Sequence, residues 1–427
     1  MPLPLSDASL PEVQRHTVRT LVVTQALGGV GLSSGIAVSA LLAKDVSGSE
    51  TLAGFAQTSQ VVGAAVVSAL LANLMARRGR RPGLALGYLL GALGAAVCIV
   101  AATVRVFPLL IVGCVLLGAT TAANNQSRYA ATDLAEPARR GRDLSTVVWA
   151  TTLGSVLGPN LTGPGAVVAG WLHVPDKAGP FVFSVVTLLG TALVVNTRLR
   201  PDPLLTARAA GRSMQIDTGE EPAPADGLSA RDVIRRTPPV RASVAGMALT
   251  HAVMVSVMVM TPIHMVHGHA SLEIIGLVIS IHVLGMFALS PVVGLLVDRW
   301  GSPPVLAAGG VALLLALVLA GGSAPGGSLG LGMGLFLLGL GWSLGTIASS
   351  TLLTSSTPLG HRPQVQGVAD AITGLTAAGG GAVAGIVVGT VGFGWLNAGA
   401  SVLAVSVLGA AMVAARHTSA PARVTHT

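Results

Sequence analysis

Methionine and histidine are concentrated in one stretch of the chain, Met247–Met286. This stretch, "MALTHAVMVSVMVMTPIHMVHGHASLEIIGLVISIHVLGM", holds six methionines and five histidines, whereas the whole 427-residue chain has 11 Met and 10 His. Thioether and imidazole groups are neutral ligands that suit copper, and thioethers suit Cu(I) in particular. An imidazole can also carry a proton, and a helical methionine often only fills space. Three interpretations follow: a soft-metal site, a proton relay or apolar packing.

The spacing in this stretch places the side chains on two helix faces. At about 100° per residue, one helix carries four of them within an arc of roughly 60°: Met247, His251, Met254 and Met258. His282 and Met286 are four residues apart and share one face of the next helix. At about 1.5 Å per residue, His282 and Met254 both lie roughly 15 Å from the helix ends that the intervening segment joins. We therefore expect the two faces to meet at one level.

The segment between the two helices, "HMVHGH", adds further soft and imidazole ligands. Its candidates are His264, Met265, His267 and His269. We expect them to form an acquisition site for a metal ion at this end of the two helices, with Met247 and His251 as auxiliary ligands on the other side.

An internal repeat with an offset of 222 residues provides a control. Under this offset "ARRGRRP" at Ala76–Pro82 aligns with "DRWGSPP" at Asp298–Pro304. The same offset aligns four His and Met positions with other residue types: Met254 with Leu32, Met258 with Ile36, His282 with Gln60 and Met286 with Ala64. Because the first half needs no His or Met at these places, we favour a functional role over packing.

The composition predicts a polytopic helical membrane protein. Hydrophobic residues make up 52% of the chain and charged residues 10%, and the mean hydropathy is +0.74. Soluble domains contain about 25% charged residues, so this chain lacks the polar groups to cover a surface in water. Apolar runs of about 20 residues, the length that crosses a bilayer, recur along it.

The net charge of +8 reflects membrane topology and does not indicate a nucleic-acid partner. Arginines cluster in alternate loops, at 77–81, 139–142 and 198–241. By the positive-inside rule, these loops and both termini face the cytoplasm. We expect a multi-pass protein of a bacterial inner (plasma) membrane, in contact with the lipid bilayer and monomeric.

Twelve transmembrane helices are predicted, in two halves. They lie near 20–43, 51–75, 83–104, 107–131, 145–171, 180–198, 240–264, 272–297, 303–321, 328–354, 366–391 and 394–415. The N-terminal six-helix half is 1–200, the C-terminal six-helix half is 240–427, and 201–239 form a cytoplasmic linker. The linker has little apolar periodicity, so we expect it to be partly disordered.

Two parallel, pseudo-symmetric six-helix halves are the plan of the major facilitator superfamily. "GLLVDRWG" at Gly294–Gly301 resembles the motif that this superfamily carries between its second and third helices and again between its eighth and ninth. In the first copy, "LMARRGRR", Ala76 replaces the aspartate of the motif. In the family this aspartate helps to lock the outward-open state near a helix N-terminus. The loss leaves Asp298 and Arg299 as the expected lock.

The resemblance implies a set of gating residues, namely Arg77, Gly79, Arg81, Gly294, Asp298, Arg299 and Gly301. For Arg80 and Arg81, the alternative that they only hold positive-inside charge stays open. "GSVLGPNLTGPG" at Gly154–Gly165 resembles the glycine-proline motif of many drug/proton antiporters and adds Gly158 and Pro159. Physically, it is a bendable seam of small residues.

The pair "MVSVM" and "HVLGM" resembles the CcoA-type copper importers of the superfamily, which carry M-x-x-x-M on the seventh helix and H-x-x-x-M on the eighth. The resemblance implies four copper ligands: Met254, Met258, His282 and Met286. It also implies inward transport that feeds copper to cytochrome oxidase assembly, with periplasmic or cytoplasmic copper chaperones as partners. Copper is then the substrate, and no cofactor is expected. The ligand types leave Cu(I), Cu(II), nickel and cobalt open.

A second polar cluster, "NNQSRYAATD", lies on the fourth predicted helix. An arginine inside a span is costly and usually functional, so Arg128 is a candidate to pair with Asp133, to support ion coupling or to contact an organic substrate. The alternative is a side chain that snorkels from the cytoplasmic end of the helix. The full set of coupling or substrate candidates is Asn124, Asn125, Arg128, Asp133 and Asp370.

These features favour a secondary-active copper importer that works by alternating access. The alternative is an organic-solute transporter, such as a riboflavin-like importer or a drug/proton antiporter. Aromatic residues make up only 3% of the chain, which disfavours a pocket that stacks flat rings. A non-transporting sensor has little support, and we expect no enzyme because no nucleophile and base are paired in the sequence.

Overall fold

The structure is a computed structural model that describes residues 10–218, 228–323 and 329–418, and within these ranges it contains helices and no strand. The helices are α1 Leu10–Ser47, α2 Glu50–Arg78, α3 Arg80–Val104, α4 Phe107–Ala130, α5 Arg140–Asn160, α6 Thr162–Leu172, α7 Gly179–Arg198, α8 Pro203–Thr218, α9 Ala230–Arg236, α10 Pro238–His267, α11 Leu272–Phe287, α12 Ser290–Trp300, α13 Ser302–Gly321, α14 Leu329–Ser356, α15 Arg362–Thr390 and α16 Phe393–Thr418. A helix pairs its own backbone N–H and C=O groups, which hydrocarbon requires. The all-helical fold class is confirmed.

Eleven helical stretches of the described ranges are long and apolar enough to cross a membrane. They correspond to eleven of the twelve predicted spans. Their outer surfaces are apolar: Val318 on α13 is 69% exposed and Leu329 on α14 is 82% exposed. Such side chains suit a surface that faces lipid, because lipid tails are as apolar as leucine.

The fifth predicted span is divided between α5 and α6. Pro159 lies inside the last turn of α5, where it has no N–H to donate to the helix. Leu161 then leaves helical geometry, and α6 begins at Thr162. Gly158 lies directly against Ser33 of α1, where a Cβ would overlap with the serine. The break therefore falls at the glycine-proline motif.

The eighth predicted span is also interrupted. α11 ends at Phe287, and α12 begins at Ser290 with Pro291 in its first turn. Proline cannot donate to the carbonyl four residues earlier, which explains a break at this place. The sequence predicted a continuous helix over 272–297, and that continuity is wrong.

The described helices form two compact units. The first contains residues 10–136, 146–218 and 359–375, and the second contains 137–145, 228–323, 329–358 and 376–418. The units follow the two sequence halves except for two segments. The start of α5 belongs to the second unit, and the start of α15 belongs to the first.

The linker contains regular structure where the sequence predicted little. Asp202 accepts hydrogen bonds from the N–H groups of Leu204 and Leu205, which cap the start of α8. Ser229 and Asp232 form a capping box at the start of α9, and these hydrogen bonds lower the pKa of Asp232. The structure therefore forms helices at 203–218 and 230–236 of the linker, and residues 219–227 lie outside the described ranges.

Helix packing in the first unit relies on small residues. A Cβ at Gly63 of α2 would overlap with the carbonyl of Val115 on α4. A Cβ at Gly118 of α4 would overlap with the carbonyl of Gln60 on α2. These two positions bring the backbones of α2 and α4 into direct contact, which is how membrane helices gain van der Waals attraction.

Candidate functional site

The methionine and histidine face of α10 lies within the second unit. Met247 and Met254 are buried, and Met258 and His251 are half-buried. Around the axis of α10, these four side chains lie next to the face that contains Gly246 and Thr250, and that face packs against α14. Two of the four side chains are therefore packed inside the unit, and two stay partly accessible.

His282 on α11 is the other part of the predicted metal site. It is 1% exposed, and its Nδ1 lies 2.9 Å from the carbonyl oxygen of Leu335 on α14. A carbonyl only accepts, so Nδ1 carries the proton and Nε2 carries the lone pair. Among the described residues, no hydrogen-bond partner meets this buried Nε2. Met286, four residues along, is half-buried.

Helix α14 is the shared neighbour of the two candidate faces, since α10 and α11 both pack against it. A Cβ at Gly339 of α14 would overlap with the carbonyl of His282, so α11 and α14 are in backbone contact. Trp342 of α14 donates its indole N–H to Nδ1 of His251 at 2.7 Å. The ring of Phe287 on α11 meets Trp342 edge-on, with centroids 5.5 Å apart. Sequence reasoning missed Trp342, because a lone tryptophan carries no motif.

A metal ion on this surface would depend on thioether ligands. Within the described ranges, no group of three His, Cys, Asp or Glu side chains is placed to hold a metal. The predicted ligand set contains three methionines and one histidine, so its formation as one site stays a prediction.

The predicted acquisition site does not form one surface group. His264 stacks on Phe393 with ring centroids 4.2 Å apart, whereas Met265 is fully buried. His267 and His269 are both exposed. His267 and His269 are therefore placed at the surface, whereas the Nε2 of His264 is buried and Met265 packs in the core.

The first unit contains a buried ion pair that the sequence did not predict. Arg80 at the start of α3 is 0% exposed, and its Nε lies 2.8 Å from Oδ2 of Asp133. Its other nitrogens donate to the side-chain oxygens of Gln126 at 2.9 Å and Gln366 at 2.8 Å. Arg80 therefore has a counterion and two amide partners, which a buried guanidinium needs. Arg80 therefore does more than hold positive-inside charge.

A second buried ion pair adjoins the first. Arg128 donates to Oδ1 of Asp370 at 2.8 Å, and Gln126 donates to the other carboxylate oxygen at 2.9 Å. Tyr129 lies 3.4 Å from the same carboxylate. Gln126 thus connects the two pairs, since its oxygen accepts from Arg80 and its nitrogen donates to Asp370. Together these residues form a charge cluster: Arg80, Gln126, Arg128, Tyr129, Asp133, Gln366 and Asp370.

The charge cluster corrects two predictions about Arg128. Its partner is Asp370 and not Asp133, because Asp133 lies beyond the end of α4 and faces Arg80. Arg128 is 8% exposed, so it does not snorkel to water. Asn124 is buried and accepts a hydrogen bond from Tyr88 at 3.0 Å. Asn125 is half-buried on another side of α4.

Asp298 makes the helix-terminus contact that the gating motif implies. Its two carboxylate oxygens accept from the N–H groups of Gly141 at 2.7 Å and Arg142 at 2.9 Å, at the start of α5. Gly294 is in contact with Gly141, where a Cβ would overlap. The helix dipole and the free N–H groups both favour a carboxylate there. Arg299 is exposed on the outer side of α12.

The corresponding turn of the first unit is organised differently. Gly79 has φ +91 and Gly301 has φ +85, a left-handed region that glycine tolerates and that both turns require. Arg77 is exposed, and the backbone N–H of Arg81 donates to Asp202 at 2.8 Å. The carboxylate at this turn therefore comes from the linker, which sequence comparison of the two halves could not reveal.

Comparison with known proteins identifies the family. The Major Facilitator Superfamily model matches residues 21–270 and 243–426. The chain is 38% identical over 378 residues to the MFS-type transporter YddS of Bacillus subtilis, covering 88% of this chain and 86% of that protein. It is 28% identical over 366 residues to the riboflavin transporter RfnT of Brucella anthropi, covering 84% and 85%.

A solved structure shows the same fold. The human organic anion transporter MFSD10 superposes with a TM-score of 0.74 at 17% identity, covering 93% of this chain and 99% of that one. Together with the apolar helices, these matches confirm a multi-pass membrane transporter with the predicted fold. The chain belongs to the Major Facilitator Superfamily.

Proposed function

We propose that this transporter imports copper by alternating access, with Met254, Met258, His282 and Met286 as transient ligands. The observation that carries the proposal is the state of His282. Its Nδ1–H is held by the carbonyl of Leu335, which leaves the lone pair of a buried Nε2 for an ion. Metal-binding histidines usually have this arrangement, because the second hydrogen bond fixes the ring and its tautomer.

The chemistry of the other candidate ligands suits a carrier. Thioethers are neutral, so the empty site leaves no unpaired charge inside the membrane. They bind Cu(I) better than they bind harder ions, which favours copper over magnesium or calcium. Three thioethers and one imidazole would hold the ion without the strength of thiolates, and the ion can then leave on the other side.

The direction and setting of transport rest on the motifs and on the loop charges. We infer inward transport across a bacterial inner membrane, with both termini in the cytoplasm, by a monomeric carrier. Copper chaperones on either side would then supply and receive the ion.

Copper accumulation in cells tests the proposal. Met254→Ala and His282→Ala are each expected to reduce transporter-dependent copper to the level of cells without the protein, measured by mass spectrometry at low external copper. Met260→Ala is the matched control, because Met260 is a buried methionine on another face of α10. Membrane abundance of each variant is measured by immunoblotting. Wild-type copper levels in both ligand variants would overturn the proposal.

An organic solute is the second candidate, and the similarity to the riboflavin transporter RfnT favours it. Phe287, which is half-buried and meets the ring of Trp342 edge-on, offers an aromatic contact for such a solute. Uptake of labelled riboflavin by a riboflavin-requiring strain separates the candidates. Riboflavin uptake that copper does not change, together with absent copper uptake, would select this function.

We further propose the Arg128–Asp370 pair as the ion-coupling site, with Asn124, Asn125 and Asp133 as neighbours. A carboxylate that can lose its buried counterion contact is suited to bind and release a proton as the helices move. Asp370→Asn is expected to abolish concentrative uptake and to leave exchange of labelled for unlabelled cargo in vesicles. Loss of both activities would show that Asp370 is needed for the fold or for cargo binding instead.

A further inference from the structure

The two membrane-embedded histidines beside the candidate site, His251 and His282, are both hydrogen-bonded by helix α14. A neutral imidazole has one N–H group and one lone pair, and its fixed partners decide which nitrogen carries which. The partners on α14 differ in kind. One is a carbonyl, which only accepts, and the other is an indole N–H, which only donates.

The carbonyl partner defines His282. Its Nδ1 lies 2.9 Å from the oxygen of Leu335, so Nδ1 must carry the proton. The ring is 1% exposed, so water does not compete for this bond. The lone pair is then on Nε2, the nitrogen that no described residue meets.

The indole partner places the proton of His251 on the other ring nitrogen. Nε1 of Trp342 lies 2.7 Å from Nδ1 of His251. Because an indole nitrogen cannot accept, Nδ1 must hold the lone pair and Nε2 must carry the proton. Trp342 is itself held in place, since it is 8% exposed and Phe287 packs edge-on against its ring.

Leu335 and Trp342 are seven residues apart on one helix. Seven residues correspond to about two turns, so the two groups lie on nearly the same face of α14. We propose that this face fixes the two histidines in opposite tautomers, with Trp342 as the positioning residue that makes His251 a hydrogen-bond donor and excludes it from the ligand set. The tautomers follow from the contacts alone, whereas the roles toward copper rest on the proposed function.

This assignment separates two residues that the sequence treats alike. The sequence predicted His251 as an auxiliary metal ligand, but its lone pair is directed at Trp342. Its Nε2–H can donate to a carbonyl, a carboxylate or a water molecule and cannot bind a cation. Of these two histidines, His282 is the one that offers an imidazole lone pair to an ion. The site would then hold one nitrogen ligand, with thioethers supplying the rest.

Nitrogen-15 NMR of the full-length protein in lipid bilayers tests the proposal directly. The chain is labelled at histidine, and signals are assigned from the loss of one set in His251→Asn and in His282→Asn. Protonated and unprotonated ring nitrogens differ widely in chemical shift. We expect His282 as the Nδ1–H form and His251 as the Nε2–H form. Finding His251 as the Nδ1–H form, or both histidines in the same tautomer, would overturn the proposal.

Trp342→Phe supplies the matched variant, because it keeps an aromatic ring against Phe287 and removes only the N–H donor. We expect the His251 signals to change to a mixture of tautomers, while the His282 signals stay as in the wild type. An unchanged His251 would contradict the positioning role of Trp342. If this variant does not fold, the wild-type spectrum still decides the tautomers.

Silver(I) is the probe for the copper part, since it resembles Cu(I) and is not oxidised. Added silver is expected to shift Nε2 of His282 and to leave both nitrogens of His251 in place. A shift of His251 nitrogens on silver binding would refute its exclusion from the ligand set. If silver moves neither histidine, the copper proposal fails while the measured tautomers stand on their own.

Discussion

Replacing Asp133 with asparagine tests how much the charge cluster stabilises the first unit. Asp133 and Arg80 are both 0% exposed in their side chains, and two hydrogen bonds join them. Removing one partner of a buried ion pair leaves the other charge uncompensated, at a cost of about 3–5 kcal/mol. Arg80 keeps its bonds to Gln126 and Gln366, so we expect a loss near the lower limit, about 3 kcal/mol.

Equilibrium unfolding of the purified protein in mixed detergent micelles, followed by circular dichroism, measures this loss. Arg77→Met is the control, since Arg77 is an exposed arginine of the same turn. A surface substitution of this kind changes the free energy of unfolding by no more than about 0.5 kcal/mol. Both variants remove one charge, so any difference between them reflects burial and pairing.

A double-mutant cycle separates pairing from other effects. Arg80→Met alone leaves Asp133 buried without a counterion, and the combination of Arg80→Met with Asp133→Asn leaves no uncompensated charge. We expect the double variant to lose less stability than the sum of the two single variants, because each single variant strands a charge. Additive losses, or a loss below about 1 kcal/mol for Asp133→Asn, would refute the reasoning.

Three further predictions concern packing and helix ends. Gly63→Ala would force α2 away from α4 and lower the free energy of unfolding by about 1–3 kcal/mol. Gly409→Ala is the control and should be neutral or stabilising, since no described atom lies within 4 Å of where its Cβ would be. Equal effects of these two substitutions in the same unfolding assay would contradict the packing. Asp298→Ala frees the N–H groups at the start of α5 and should cost about 1–2 kcal/mol in that assay, with an unchanged value arguing against the contact. Arg208→Ala should increase protease cleavage within α8, and the exposed Arg212→Ala should not; cleavage at the wild-type rate in both would show that Arg208 does not hold the helix.

The sequence predicts the helices well where a local signal ends them. The third span was expected to end at residue 104, and α3 ends there because Arg105 takes a left-handed cap conformation. The fourth was expected from 107, and α4 begins at Phe107 with Pro108 in its first turn. The break at Pro159 falls in the seam that was expected to bend, whereas the break at Pro291 was missed, since hydropathy alone does not distinguish a bent span from a straight one.

The partners of the charged residues were harder to predict. Arg80 and Asp133 are 53 residues apart, and Arg128 and Asp370 are 242 residues apart. Helical periodicity places each residue on a face of its own helix, but it does not say which helix that face meets. The candidate face of α10 is local and was therefore predictable, whereas its contact with Trp342 depends on how α14 packs.

The two sequence halves have different residues at the gating turn, and the 222-residue repeat shows which ones correspond. In the second unit, Asp298 accepts from the N–H groups of Gly141 and Arg142. The offset of 222 residues places Ala76 opposite Asp298 and Pro363 opposite Gly141. The first sequence half therefore has no carboxylate at the repeat position of Asp298, and Pro363 also removes one of the two donors.

At the equivalent turn of the first unit, the backbone carbonyls of Ala76 and Gly360 need a hydrogen-bond donor. Arg208 of α8 supplies it, with its guanidinium 2.7 Å from the carbonyl of Ala76 and 3.3 Å from that of Gly360. A cation also suits the C-terminal end of α2, where the helix dipole is negative. The two contacts therefore use groups of opposite charge. In the second unit a carboxylate accepts from a helix N-terminus, and in the first unit a guanidinium donates to two carbonyls. Since Asp202 and Arg208 both lie between the two sequence halves, that segment does more than connect them, because it completes the turn that the first half lost.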